Sequence, residues 1–595
     1  MTPRRTALAA AFCLALTGCG INMPDSGPVH ESTATGLSQE DQPASINPPG
    51  PKKGDTPEEI VRGFLYAMQA TPPIKTSVAR EFLTPEANAA WQPSGMVVYS
   101  SYTAPHGYRE VTAAADGGTT EVVELLNADE TDARGAWLGA ASEPDSTVRF
   151  PLTLEDDGWR ITQPPQHLLV PASWFDQRFK QVSLYFFDPS AQILVPEPVF
   201  VPRGGQFAST LVYGLLQRPS AELTEQSYLP PGLRSVVSVP VSGGVARIDL
   251  TSDSGDAVLP TSDQSELMVS QLAWTLSQDQ TISGFRVSID GRPVQIAGET
   301  QFGTDHGHEY APYVAGSSTQ LYGLLNGRMV GGSAQNLEIV TGPFGAGDYS
   351  LRTVSPDLRA ENVAGVSATG STLWLAPVKD TGVEPRALIT TGEDLLRPVW
   401  DFTGRVWEVD RRASGAEVSY LHHGRMRTVD VPGISGEDVR AFLISRDGSR
   451  LVAVVRRDTD DDALVISRIL TTGDGRVTRA LPADDITDPT DLDGHIRDIA
   501  WRTPTSIVVL HPLSRELFQV RSVSVNGATD SFSVTIPDDV VGLTGTPVEG
   551  EPIYAFVRSV GANGAPARAA LRDLAGSRVD EIDVDPGVTM LSYVS

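Results

Sequence analysis

Two cysteines, nine histidines and one dense run of aspartates are the residues of this 595-residue chain whose chemistry could go beyond packing. Both thiols, Cys13 and Cys19, fall at the very start, so the rest of the chain can form no disulfide, thiolate zinc site or cysteine nucleophile. Asp305-His306-Gly307-His308-Glu309 sets two imidazoles and two carboxylates in five residues, donors that suit a divalent metal; a solvated linker is the plainer reading. Asp458-Thr459-Asp460-Asp461-Asp462 begins like a calcium loop, but Ala463 stands where such a loop turns on glycine. From 458 to 498 there are eleven aspartates and four arginines, which reads as solvated loops or else as a face for a basic partner or calcium. His422-His423 reads as a pair on a surface strand. No Walker loop, Gly-x-Ser-x-Gly, dinucleotide fingerprint or His-Glu-x-x-His occurs. No catalytic, cofactor or metal residue is therefore assigned, and a non-enzyme is expected.

The cysteine that matters is Cys19. Arg4 and Arg5 precede an apolar run over 7–16, half the length a bilayer core needs, and the run ends in Leu16-Thr17-Gly18-Cys19. That is a signal peptide (1–18) closed by what looks like a bacterial lipobox. The thiol of Cys19 accepts a diacylglyceryl group as a thioether, and the small residues before it admit the peptidase to the Gly18–Cys19 bond. The freed amine then takes a palmitoyl chain, and several acyl chains hold a protein on a membrane where one is marginal. The expected location is the extracytoplasmic face of the cell membrane, reached through Cys19.

Charge narrows the partners. With 46 basic and 74 acidic residues the net charge is −28, which repels nucleic acid and anionic headgroups. Removing Arg4 and Arg5 leaves the mature chain more acidic still.

The elements that would carry any site begin after a tether. Residues 19–55 hold six prolines and no apolar periodicity. Thr56-Pro57-Glu58-Glu59 then forms a capping box, followed by a helical face of Ile60, Val61, Phe64, Leu65 and Met68. Short helices are expected at 78–83 and from Thr84-Pro85-Glu86 to Trp91, then strands at 96–102, 120–126, 137–141, 148–154 and 159–161. Helices followed by a curved antiparallel sheet over 56–175 is the order of an α+β NTF2-like cone. A second unit, 181–300, reads β-β-α-β-β-α-β: strands at 182–187 and near Val199, a helix over 206–217, a hairpin of 236–241 with 245–250, a helix capped by Asp263 and Glu266, and a strand at 285–289.

From about residue 310 to 595 helical signals vanish and a repeat appears: an apolar pair, a polar turn usually with glycine, then a strand. Ile444-Ser445-Arg446-Asp447-Gly448 is the clearest copy, Trp400-Asp401-Phe402-Thr403-Gly404 and Val366-Ser367-Ala368-Thr369-Gly370 are others, and Trp501 to Thr503 and Thr544-Gly545 are weaker. Marks at 317, 367, 401, 445, 501 and 545 are spaced 50, 34, 44, 56 and 44. A mean near 46 fits a four-stranded propeller blade, giving an all-β propeller of about six blades, with a pair of β-sandwiches as the competing architecture. A strand over 588–593 is expected to join the first blade and close the ring.

With anchor, tether, cone, α/β unit and propeller in this order, the chain resembles the actinobacterial lipoprotein LpqB family over nearly its whole length. The most specific stretches are 182–187, 210–219 and 243–250, similar to the GerMN (sporulation and germination) domain, and 395–410 and 439–455 in the propeller. The resemblance implies a non-enzymatic accessory lipoprotein acting with an MtrA–MtrB type two-component system. Its partner would be the extracellular domain of the MtrB-like sensor histidine kinase, and its role would lie in envelope homeostasis and division. Only Cys19 carries over as a functional residue. The competing reading is a cell-wall-active hydrolase or carbohydrate binder that uses the propeller channel.

Overall fold

The computed structural model describes residues 47–594 apart from 71–75, 108–117, 157, 218–222, 236–237, 254–258, 348, 381, 458–460, 488–493, 515–516, 561–565 and 575–580. Packing starts ahead of Thr56, inside the stretch read as tether: Pro48 is buried, and Lys52 N–H donates to the Asp55 carboxylate at 2.7 Å. Thr56 then caps the helix Pro57–Ala67 with the expected reciprocal box, its N–H donating to Glu59 Oε2 at 2.8 Å. Ile60, Val61, Phe64 and Leu65 are all buried on one face. Two short helices follow, Ser77–Arg80 and Pro85–Ala90, the first ending sooner than its apolar pattern suggested.

These helices cover two sheets. One orders Trp137–Ala140, Asp129–Thr131, Met96–Tyr99 and Leu168–Pro171; the other orders Ser101–Tyr102, Thr119–Leu126, Thr147–Glu155 and Gly158–Ile161. Phe64 sits between Trp91 and Phe150, ring centroids 5.5 and 6.1 Å away. Leu168–Pro171 runs parallel to Met96–Tyr99, and with Asp129–Thr131 and the helix Ala172–Arg178 it is too short to show a period in sequence. The body is an α+β cone with its own aromatic core.

The second body opens with the hairpin of Phe179–Phe187 and Leu194–Pro202. Helices Phe207–Leu216 and Ser262–Leu276 pack with a sheet in which Val245–Ser252 runs parallel to Gly284–Ile289. Helix Ser262–Leu276 is capped by Thr261 with Gln264, not by Asp263 with Glu266. The chain is still extended at Thr261, so its hydroxyl meets the Gln264 N–H, while Asp263 already lies inside the first turn. Of the strand expected over 236–241, residues 236–237 lie outside the described residues and 238–240 are not strand; Leu233–Ser235 and Val241–Ser242 pair separately with Val245–Ser252, and Pro240 has no N–H to give.

Six antiparallel sheets follow, five of four strands and one, that of blade four, with a short fifth strand at Asp484–Asp485, as a propeller requires. Taking the innermost strand of each, blade two starts at Leu351–Pro356, blade three at Val399–Trp400, blade four at Asp438–Ile444, blade five at Asp498–Thr503 and blade six at Val540–Thr544. Blade one takes its innermost strand from the last one in the chain: Val588–Ser592 pairs antiparallel with Leu321–Leu325, so the first and last strands of the propeller close the ring. Among the described residues of this body one α-helical turn, Pro343–Ala346, interrupts the strands.

The repeat marks need one correction. In blades three, four and six the marked turn follows the first strand and in blade five the mark at 501 falls inside it, but Ser367 ends the second strand of blade two. The equivalent turn is Asp357-Leu358-Arg359-Ala360, which replaces the spacings 50 and 34 by 40 and 44. Its geometry is that of Asp401–Gly404: Ala360 N–H donates to Asp357 O at 2.8 Å, as Gly404 N–H does to Asp401 O at 3.0 Å. Ala360 holds φ 55° where Gly404 holds 75°, and the missing glycine hid the turn.

Candidate functional site

Cys19, with the whole of 1–46, lies outside the described residues. Among those that are described, no helix is long and apolar enough to cross a membrane.

The histidine and aspartate clusters are absorbed into the fold. His306 Nε2 lies 2.7 Å from Glu266 Oε1, and Trp274 Nε1–H donates to Gly307 O at 2.9 Å, so the 305–309 segment is pinned to helix Ser262–Leu276. Asp462 is buried, accepts from Arg456 Nε at 2.9 Å and from Ile496 N–H at 2.8 Å, and is committed to blade four; 458–460 lie outside the described residues. His422 is buried at the end of its strand, not on the surface, and His423 turns at φ 48°. With Asp474 they bring three donor atoms within 4.8 Å, but Asp474 already accepts from Thr472, and Arg427 and Arg405 add positive charge beside His422.

The propeller's two mouths are unlike. At the ends of the inner strands, where the marked turns lie, the mouth is shut and docked on the GerMN-like body. Glu197, from the hairpin strand Leu194–Pro202, accepts from Arg450 Nη2 at 2.8 Å and Arg468 Nη2 at 2.6 Å; Arg468 also reaches Glu225 at 3.1 Å. Arg450 Nη2 donates to Pro196 O at 2.7 Å, and Gln181 Nε2 to Ser524 Oγ at 2.8 Å. Burial alone would raise the Glu197 pKa, but Arg468 and Arg450 overcome it and hold the carboxyl below its ordinary value. Glu225, which shares only Arg468, is raised by burial. Arg446 plugs this end: its guanidinium donates to Tyr313 O at 2.5 Å and to Thr546 Oγ1 at 2.9 Å, and burial pushes its pKa down to about 9.

The other mouth lies where the inner strands begin. A cavity of about 290 Å³ opens there, lined from all six blades by Thr353, Arg397, Arg440, Asp498, Val541 and Met590, with Arg558 at its edge. Asp498 accepts Ile499 N–H at 2.9 Å and Leu543 N–H at 2.7 Å, and burial raises its pKa against the pull of Arg397. Sequence reasoning passed over all of these residues because they are scattered from 353 to 590. The available signal was position: Thr353, Arg397 and Val541 each stand four residues before a blade's turn mark at 357, 401 or 545.

Comparison with known proteins matches three family models in succession. Residues 50–176 match the N-terminal domain of lipoprotein LpqB, 183–295 the sporulation and spore germination (Germane) domain, and 327–550 the LpqB beta-propeller domain. Lipoprotein LpqB of Streptomyces avermitilis is 26% identical over 589 residues, spanning 89% of each chain. That of Mycolicibacterium smegmatis is 27% identical, covering 90% of this chain and 91% of its own. The Mycobacterium ulcerans protein is 25% identical, covering 94% and 99%.

Proposed function

The chain belongs to the LpqB lipoprotein family, and from that premise we propose that it is an accessory lipoprotein held at Cys19 on the extracytoplasmic face of the membrane. There it binds and modulates the extracellular domain of an MtrB-like sensor histidine kinase of an MtrA–MtrB type system, in envelope homeostasis and division. It is not an enzyme on this reading. The observation that supports it is the use made of buried charge. Glu197 and Glu225 join two bodies, and Asp401 and Asp462 brace blades three and four. A rigid multi-body surface on a lipid anchor suits recognition.

The wall-hydrolase alternative is weakened by the open mouth. Glycoside hydrolysis uses two carboxyl groups across the scissile bond, and Asp498 is the one carboxylate among the described residues lining the cavity. Crosslinking in intact membranes, read by mass spectrometry, tests the proposal. Kinase peptides joined to this chain are expected, and they should be lost with Cys19→Ser, which releases the protein from the membrane. Recovery of no kinase peptide from the anchored protein, or a Cys19→Ser variant that stays lipid-labelled, would overturn it.

A further inference from the structure

The open mouth carries three arginines in a chain with a net charge of −28, and their partners do not account for them. Arg440 is tied to Asp438 at 2.5 Å. Arg558 has a buried Nε without a hydrogen-bond partner among the described residues, and no carboxylate there pairs with its guanidinium. Arg397 reaches deepest, lining both the open cavity and the small void of about 20 Å³ below the Arg446 plug. Its guanidinium makes no hydrogen bond among the described residues, and burial lowers its pKa while Asp498 partly restores it. Arg397 is partly buried and its donor fork is not taken up by a protein acceptor among the described residues, and a planar fork of this kind matches an oxyanion.

The surroundings make a cup. Arg440 lies near the start of the strand Asp438–Ile444 and Arg446 just past its end, so the same strand spans from open mouth to closed plug. The cavity of about 290 Å³ has room for about ten waters at liquid density, enough for a small organic anion. Apolar walls from Leu396, Phe442 and Leu591 lower the local polarity and strengthen each ionic contact.

We propose that the open mouth of the propeller channel binds a small molecule through its carboxylate or phosphate group, gripped by Arg397 and Arg558. Asp498 acts as a built-in competitor that keeps Arg397 in place until the anion arrives. The site is independent of the kinase, so it can fail while the accessory role stands.

The test uses the purified full-length protein in detergent, titrated with inorganic phosphate and with citrate by calorimetry and thermal shift. One-to-one binding of either is expected, and the pair distinguishes a phosphate from a carboxylate source. Arg558→Gln, at a partly buried position, should weaken binding by about tenfold with the melting temperature of the free protein unchanged. Arg397→Gln should do at least as much. Asp498→Asn should move the other way and tighten binding several-fold, a gain that damage to the fold could not give. Absence of heat and of thermal shift with both anions at about 10 mM, or Arg558→Gln and Asp498→Asn both binding like the parent, would overturn the proposal.

Discussion

The two mouths of the propeller use the same residue type to opposite ends. At the closed mouth Arg446, Arg450 and Arg468 all have acceptors, and Arg450 and Arg468 converge on Glu197 from another body. At the open mouth Arg397 and Arg558 have none that satisfies them among the described residues. The inner strand of blade four, Asp438–Ile444, therefore has one end tied down through Arg446 and the other at the open cavity. Buried arginine is neither structural nor functional by type; what decides is whether the fold supplies its acceptor.

The harshest way to break this contrast removes a strand that serves both mouths. Val588–Ser592 contributes Met590 and Leu591 to the open cavity, while Val594 O accepts from Arg446 at the closed plug. Tyr593 is buried beside Tyr554, with its hydroxyl donating to Pro552 O at 3.1 Å. Deleting 586–595 should open blade one, expose the edge of Leu321–Leu325 and lower the melting temperature of the propeller by far more than any substitution. The cone should keep its own transition in calorimetry. A truncated chain that melts like the parent would show that ring closure is dispensable.

Glu197→Ala comes next. Only 14% of its side chain is exposed, and its loss leaves Arg450 with the Pro196 carbonyl and Arg468 with Glu225 alone at the docked face, a disruption of about 3–5 kcal/mol. Urea unfolding followed by tryptophan fluorescence reads it. The pH dependence has a definite sign. The folded-state pKa of Glu197 is lowered, so its stabilisation is present above the ordinary carboxylate value and fades as pH falls through the folded value. The parent should therefore lose its advantage over the Ala variant in acid.

Much of the scaffold behind these mouths was legible because the local chemistry is short-range. The Thr56 to Glu59 capping box and the Ser445 to Gly448 turn each announce their geometry within a few residues. Where a turn used a less obvious residue, reading slipped: Ala360 stands in for glycine, and Thr261 supplies the cap two residues before Asp263, the acid that looked suited to it. The open mouth was illegible for a different reason. Its arginines and aspartate belong to separate blades, and only ring closure brings 353 and 590 to one rim. Asp462 failed in the opposite sense: it sits in an acidic run that composition assigns to solvent, yet Arg456 draws it into the sheet.

The smallest effect, and the one that sharpens the contrast most, is expected from Asp498→Asn measured for stability without ligand. Here the sign is reversed relative to Glu197. Burial raises the Asp498 pKa more than Arg397 lowers it, so its stabilisation is complete below the ordinary carboxylate value and is lost as pH rises through the folded value. Wherever the carboxyl is ionised in the folded state, its charge is thus a burden on the fold. Asparagine keeps an oxygen for one of the two N–H groups, of Leu543 or Ile499, and carries no charge to desolvate. The variant should be more stable than the parent at pH 7 by less than about 1 kcal/mol, and no more stable near pH 3, where the parent carboxyl is itself neutral. Urea midpoints at the two pH values decide it. A variant that is destabilised at pH 7 and not at pH 3 would mean that the Arg397 pair holds the open mouth together as firmly as Glu197 holds the closed one, and the two mouths would no longer differ in kind.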